Sequence, residues 1–207
     1  MFMKKFIIEK CMNYIKKNTK YNEIKLKEIE YGLLSIYLTI SKFIIVSFIS
    51  ILLGIFKEMI IFSTLFNILR LPAFGLHATK SWICLLSTIV TYISITLLCI
   101  YITIDFTFKI IISSLCIILM FKNAPADTQK KPIVSKKRRA KLKIISTILA
   151  IIFSISAIII KNNFLSNCLI FALILENILI SPITYKLFKL PYNNYITFLK
   201  EHPGFNN

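Results

Sequence analysis

The chain has 207 residues, 57% of them hydrophobic and 17% charged, with mean hydropathy +0.74 and a formal net charge of +17. Those proportions exclude an ordinary soluble domain, which carries more charge and fewer long apolar runs. A strongly basic balance also suggests nucleic acid, but here the basic residues border apolar tracts and no nucleic-acid module accompanies them. Orientation in a membrane and attraction to anionic lipid account for the charge, and no nucleic-acid partner is expected.

Residues 1–32 hold eight lysines and four glutamates. Phe2, Phe6, Ile7, Met12 and Ile15 fall at the spacing of one helical face, so Met1–Asn18 is predicted to be an interfacial amphipathic helix. A compact apolar core followed by a small-residue cleavage site is missing there, so no signal peptide is expected. Apolar tracts of membrane-spanning length, or close to it, follow at Leu33–Phe56, Trp82–Ile104, Ile144–Ile160 and Phe164–Leu187. Two shorter tracts, Met59–Leu71 and Ile110–Phe121, read as tilted spans, half-helices or re-entrant segments. The expected fold is all-α, a polytopic integral membrane protein with about six transmembrane or partly embedded helices and an N-terminal amphipathic helix. Its expected divisions are a cytoplasmic arm (1–32), a membrane domain (33–188) with a basic cytoplasmic loop at 122–143, and a cytoplasmic tail (189–207).

Nine of the 26 basic residues lie in Lys122–Lys143, beside a single acid, Asp127. The positive-inside rule places that segment and the N-terminal arm in the cytoplasm, so an even number of crossings separates them. Six crossings in all satisfy this parity and put Pro72–Ser81 on the cytoplasmic side, in keeping with the flanking Arg70 and Lys80. Two charges fall inside apolar tracts. Counting along the helices puts Lys42 about 14 Å below the cytoplasmic edge and Glu176 about 18 Å from the outer end of its tract, nearly the same depth. They are expected to pair, with snorkelling of the lysine as the alternative.

Residues 70–87 hold His77 and Cys84 between two hydrophobic runs. A thiol and an imidazole are the minimal parts of a cysteine nucleophile and its base. On one continuous helix the two would share a face but stand roughly 10 Å apart along the axis, too far for contact. A turn at Pro72–Gly75 would fold His77 over the start of the next helix. Ser81 is expected to cap that helix, leaving Cys84 at its third position, where the helix N-terminus favours a thiolate. On chemistry alone, a histidine bonded to a carbonyl and a packed cysteine are the commoner explanation of such a pair. Cys11, Cys99, Cys116 and Cys168 have no metal-like spacing and read as small apolar residues. HExxH, GxSxG and glycine-rich phosphate motifs are missing, and the chemistry calls for neither metal nor organic cofactor.

Arg70, Gly75-Leu76-His77-Ala78 and Cys84 resemble the signature of the accessory gene regulator B (AgrB) family, membrane cysteine endopeptidases of Gram-positive peptide quorum sensing. Further on, Asn123-Ala124-Pro125-Ala126-Asp127-Thr128 and Lys130-Lys131-Pro132 resemble that family's Ala-Pro-Ala and Lys-Pro loop. Length, hydropathy profile and motif order agree, so the resemblance covers nearly the whole chain. Phe74 stands where many members have a glycine before Gly75, and Lys122-Asn123 where an aromatic residue commonly precedes Ala-Pro. Neither departure removes the nucleophile or the base.

The resemblance implies a thiol protease of the cell membrane that cuts the C-terminal region of an AgrD-like signalling-peptide precursor. Cys84 would form a thioester with the N-terminal part, His77 would serve as base and then acid, and the bound peptide would close to a thiolactone or lactone. Arg70 either binds a substrate carboxylate or lipid phosphate, or anchors its helix at the interface. Gly75 is expected to supply the turn, and Pro125 belongs to the second motif. Asp127 either orients His77 or is a solvated loop acid. Ser81 and Ser87 are oxyanion donors or helix caps. Lys130 and Lys131 begin a basic run that attracts anionic lipid, engages acidic residues of the precursor, or only orients the protein. The oligomeric state is left open, a homo-oligomer included. A membrane peptide transporter and a noncatalytic membrane scaffold are the alternative functions, the first lacking a clear internal repeat and the second leaving the joint motifs unexplained.

Overall fold

A computed structural model describes the backbone of residues 2–19, 21–76, 81–129 and 131–201, with side chains from residue 6 onward. His77, Lys80, Lys130 and His202 lie outside the described residues. Among the described residues the chain forms nine helices and no strand: α1 (Phe2–Asn18), α2 (Glu23–Leu52), α3 (Phe56–Ala73), α4 (Ser81–Tyr101), α5 (Phe106–Asn123), α6 (Lys136–Ile159), α7 (Asn163–Ile180), α8 (Pro182–Leu187) and α9 (Asn194–Glu201). Five of them, α2, α4, α5, α6 and α7, are long and apolar enough to cross a membrane. The protein is an all-α, multi-pass membrane protein.

The two short tracts both become full helices of 18 residues, about 27 Å long at the usual rise. Helix α3 carries Lys57, Glu58 and Arg70, which lowers its hydropathy, but it buries Met59, Phe62, Phe66 and Leu69 inside the bundle. The fourth long tract is not one helix. Helix α7 stops at Ile180, Ser181 is extended, and its hydroxyl accepts from Ile183 N to start α8 with Pro182 at the first position. Proline has no N–H to donate and suits a first turn, so Ser181-Pro182 breaks the tract where hydropathy alone continues it. The basic stretch 122–143 is likewise only partly loop, because α6 begins at Lys136 with Ser135 as its cap.

Helix α7 is the axis of the bundle and packs against α3, α4, α5 and α6. It buries Ser166, Asn167, Cys168, Ala172 and Asn177 beside Ile170 and Leu173. Lipid offers no hydrophobic drive for helices to associate, so small and hydrogen-bonding side chains at such an interface let backbones approach and bond. Ser166 Oγ donates to Ala157 O on α6, and Asn167 Nδ2 donates to Cys99 O and Ile102 O at the end of α4. Cys99, Cys116 and Cys168 are buried free thiols in this core, as small apolar residues would be. Helix α2 is peripheral, packing on α1, α3 and α4, and α1 rests on it with Ile8 and Met12 buried one turn apart. Ile36, Phe43, Phe48, Leu86, Ile118 and Ile155 are exposed on the outer surface, which in a membrane is the lipid face.

The carbonyls that Asn167 satisfies belong to the last turn of α4 and just beyond it, where helix partners run out. Asn167→Leu is expected to lower stability in detergent by about 1–2 kcal/mol, the range for interhelical hydrogen bonds in membranes. Thermal unfolding of purified protein measures it.

Candidate functional site

The turn of the first motif and the Ala-Pro-Ala segment of the second meet at one end of the bundle. Pro72 sits in the final turn of α3, which ends when Phe74 takes φ 63° and Gly75 φ 104°. Phe74 N donates back to Arg70 O at 2.9 Å. Gly75 N donates to Ala126 O (2.8 Å), Ala126 N to Ala73 O (3.0 Å), and Leu76 N to Leu179 O at the end of α7 (3.0 Å). The turn is thus clamped between the Ala-Pro-Ala segment and α7. A Cβ on Gly75 would lie 3.1 Å from Leu179 O and 3.2 Å from Arg70 Nη1, so the close approach and the positive φ both require glycine. This supports the turn expected at Pro72–Gly75.

Arg70 holds the same turn from inside. Its Nη2 donates to Leu76 O at 2.6 Å, and its Nη1 lies 3.4 Å from Glu176 Oε2. Glu176 is fully buried, and its other oxygen, Oε1, has no hydrogen-bond partner among the described residues. The expected Lys42–Glu176 pair is therefore replaced by Arg70–Glu176. Depth along an apolar tract says how far a charge lies from the surface but not which helix faces it. Arg70 is committed inside the protein, and neither a ligand nor an interface anchor is needed to explain it.

Cys84 is the fourth residue of α4, because Ser81 is itself helical and exposed. Its sulfur lies 3.3 Å from Lys42 Nζ on α2, and its carbonyl accepts from Ser87 Oγ and Thr88 Oγ1. Ser87 is thus occupied within its own helix. The Tyr92 hydroxyl, two turns along α4, accepts from Asn67 Nδ2 at 3.4 Å.

The solvated-acid reading of Asp127 is overturned. Asp127 is 2% exposed and accepts from Ile133 N (3.2 Å), Asn194 N (3.0 Å) and Tyr195 N (2.8 Å), while Arg139 Nη1 lies 3.6 Å away. Its carbonyl accepts from Tyr185 OH and Asn194 Nδ2. One carboxylate therefore ties the loop to α6 and to the start of α9. Tyr192 OH donates to Asn123 O at 3.3 Å, and the Tyr185 and Tyr192 rings meet edge to face. Burial pushes both hydroxyls up, so they remain protonated donors throughout the physiological range.

Pro125 is buried against this network, and Lys131 is exposed, its N–H closing a turn on Thr128 O at 3.0 Å. Arg139 stacks 3.5 Å from the Tyr195 ring centroid, and Lys143 lies 4.7 Å from that of Phe121. Around them opens a cleft of about 420 Å³, lined in part by Lys122, Pro125, Arg139, Lys143, Tyr192 and Tyr195. Among the described residues no cluster of side chains fits a metal ion. Sequence reasoning missed the Lys42–Cys84 contact and the roles of Tyr185, Tyr192 and Asn194. Only the rarity of intramembrane charge pointed to Lys42, and nothing local marked the tail residues.

Asp127→Ala would strand two buried N–H donors, one part-buried N–H and one guanidinium. The expected cost is about 3 kcal/mol or more, with faster proteolysis between residues 122 and 135 in detergent. Asp127→Asn, which keeps an acceptor, should lie between the two.

The chain matches the accessory gene regulator B family over residues 8–180. It is 32% identical over 186 residues to a putative AgrB-like protein of Clostridium acetobutylicum, covering 89% of this chain and 88% of that one. A putative AgrB-like protein of Listeria innocua is 32% identical over 81% of this chain and 82% of its own. Accessory gene regulator protein B of Staphylococcus aureus is 28% identical over 86% of this chain and 94% of its own. No solved structure matches the chain. With a multi-helix membrane fold and Gly75 of the first motif bonded to Ala126 of the second, the chain belongs to the accessory gene regulator B family.

Proposed function

We propose that this member of the accessory gene regulator quorum-sensing family is a membrane cysteine endopeptidase, with Cys84 as nucleophile and His77 as its base, acting on an AgrD-like precursor peptide. The observation that carries the reading is the clamp on the backbone entering His77. Leu76, the residue before it, is held through both its N–H and its carbonyl, by Leu179 O and Arg70 Nη2. An elaborate restraint on a non-helical segment is what a positioned base requires. Cys84 then stands in the first turn of the next helix, with the ammonium of Lys42 3.3 Å from its sulfur.

In this mechanism His77 takes the Cys84 proton, the sulfur attacks the scissile carbonyl, and the departing amine receives the proton from His77. The N-terminal fragment remains as a thioester on Cys84. A thiol or hydroxyl within the same peptide then attacks the thioester carbonyl and releases Cys84 as the ring closes. Acyl transfer keeps the activated bond that hydrolysis would lose, so a site that restricts water favours cyclisation.

The basic cleft beside the clamp suits acidic residues of the precursor or anionic lipid, Lys122, Arg139 and Lys143 being its cations. Gly75, Pro125 and Asp127 serve by shaping the end of the bundle, Lys131 and Ser81 are exposed, and Lys130 belongs to the same basic run in sequence. We place this end in the cytoplasm, together with the arm at 1–32 and the tail at 189–207, because most of the loop charge gathers there. The membrane domain at 33–188 carries the peptidase. No cofactor is required.

Cys84→Ala is expected to abolish precursor processing, since alanine has no attacking atom, while alanine at Cys11, Cys99, Cys116 or Cys168 leaves substantial activity. A precursor fragment trapped on Cys84 and released by hydroxylamine would identify the thioester. Normal processing by well-expressed Cys84→Ala protein rules the mechanism out. For orientation, a cysteine placed at Ser135 should resist an impermeant thiol reagent in intact cells and react after lysis.

A further inference from the structure

Lys42 is the charged residue that the clamp leaves over. Its expected partner, Glu176, is engaged by Arg70, and its ammonium instead reaches across from α2 to within 3.3 Å of the Cys84 sulfur. A neutral thiol is a weak acceptor and does little to offset the cost of placing a lysine in an apolar tract. A thiolate returns far more, because a charge-assisted hydrogen bond is about twice as strong as a neutral one. The contact therefore matters most in the steps that leave charge on the sulfur, as nucleophile and as leaving group.

We propose that Lys42 is a catalytic cation for the Cys84 nucleophile, its ammonium donating a hydrogen bond to the reacting sulfur. This deepens the peptidase reading and rests on it for the reaction. Among the described residues the titratable groups near this region are Lys42 from α2, Tyr92 from α4, Arg70 from α3 and Glu176 from α7, and His77 precedes α4 in the sequence. Arg70 and Glu176 neutralise each other, and among the described residues Lys42 is the cation within hydrogen-bond reach of the sulfur.

The role covers both halves of the reaction. When Cys84 gives its proton to His77, Lys42 keeps its own three and holds the negative sulfur. Formation of the S–C bond and departure of the amine discharge the thiolate. In the second half the attacking group of the peptide loses its proton to His77 and bonds to the carbonyl carbon. The C–S bond breaks with its electron pair returning to Cys84 beside the same ammonium. A stabilised thiolate leaves faster, which favours ring closure.

The test reads the thiolate directly and needs no substrate. Full-length protein in detergent is alkylated with iodoacetamide at pH 7 and pH 10, and the rate at Cys84 is resolved by mass spectrometry, with exposed Cys11 as internal reference. In Lys42→Met the ratio of the pH 7 rate to the pH 10 rate is expected to fall about tenfold, and Lys42→Arg should retain it. Lys42→Gln, which keeps a donor without charge, should behave as Lys42→Met does. The pH 10 rate reports access, so a change in packing is distinguished from a change in ionisation. A ratio in Lys42→Met equal to that of the unaltered protein overturns the proposal. Processing by Cys84→Ala protein would defeat the peptidase reading by a separate measurement that leaves the alkylation ratio unaffected.

Discussion

The bundle depends on how it satisfies the backbone of one short non-helical segment. A chain that leaves helical geometry at the edge of a membrane exposes N–H and C=O groups that lipid cannot satisfy, at a cost of several kcal/mol each. Here residues 73–76 give those groups to Ala126, Leu179 and Arg70, so the end of α3, the Ala-Pro-Ala segment and the end of α7 become one unit. Gly75 permits the approach because it has no Cβ to meet Leu179 O or Arg70 Nη1. Arg70 serves better than lysine would, since its planar fork reaches a carbonyl and a carboxylate at once.

Charge is handled by the same economy. Two buried acids each anchor a guanidinium, Glu176 with Arg70 and Asp127 with Arg139. Helix α6 opens with Lys136, Lys137, Arg138 and Arg139, an arrangement its own dipole opposes. That penalty is offset for Arg139 by Asp127 and the face of Tyr195. The basic run is thereby drawn against the protein at one end of the bundle instead of trailing as a free loop. Lys42, which has no acid partner among the described residues, lies 3.3 Å from the Cys84 thiol in the first turn of α4.

Helix α7 supplies the frame on which these contacts are registered. Its buried serine, asparagines, cysteine and alanine allow close packing on four neighbours, while its final turn offers Leu179 O to the clamp and Glu176 to Arg70. Packing and site are therefore coupled through one helix. A shift of α7 moves the carbonyl that holds Leu76 and hence the segment that leads to His77.

Periodicity, hydropathy and charge by themselves determined that the chain is an all-α membrane protein, because tracts such as Trp82–Ile104 are long enough to span and cannot be buried otherwise in 207 residues. The turn at Pro72–Gly75 was legible for a local reason: glycine and proline restrict backbone in ways that need no neighbours. Motif order pointed to the family, and the chain's matches agree with it. Partnership was not legible. Counting along the apolar tracts puts Lys42 and Glu176 at similar depths, yet the rotation and order of the helices give Glu176 to Arg70 and turn Lys42 toward Cys84. Asp127 reads as a solvent residue in a run of lysines, and only the return of the tail through Tyr185, Tyr192 and Asn194 buries it. Such contacts join residues tens of positions apart, and no local pattern encodes them, because they are set by which helix faces meet once the whole bundle has packed.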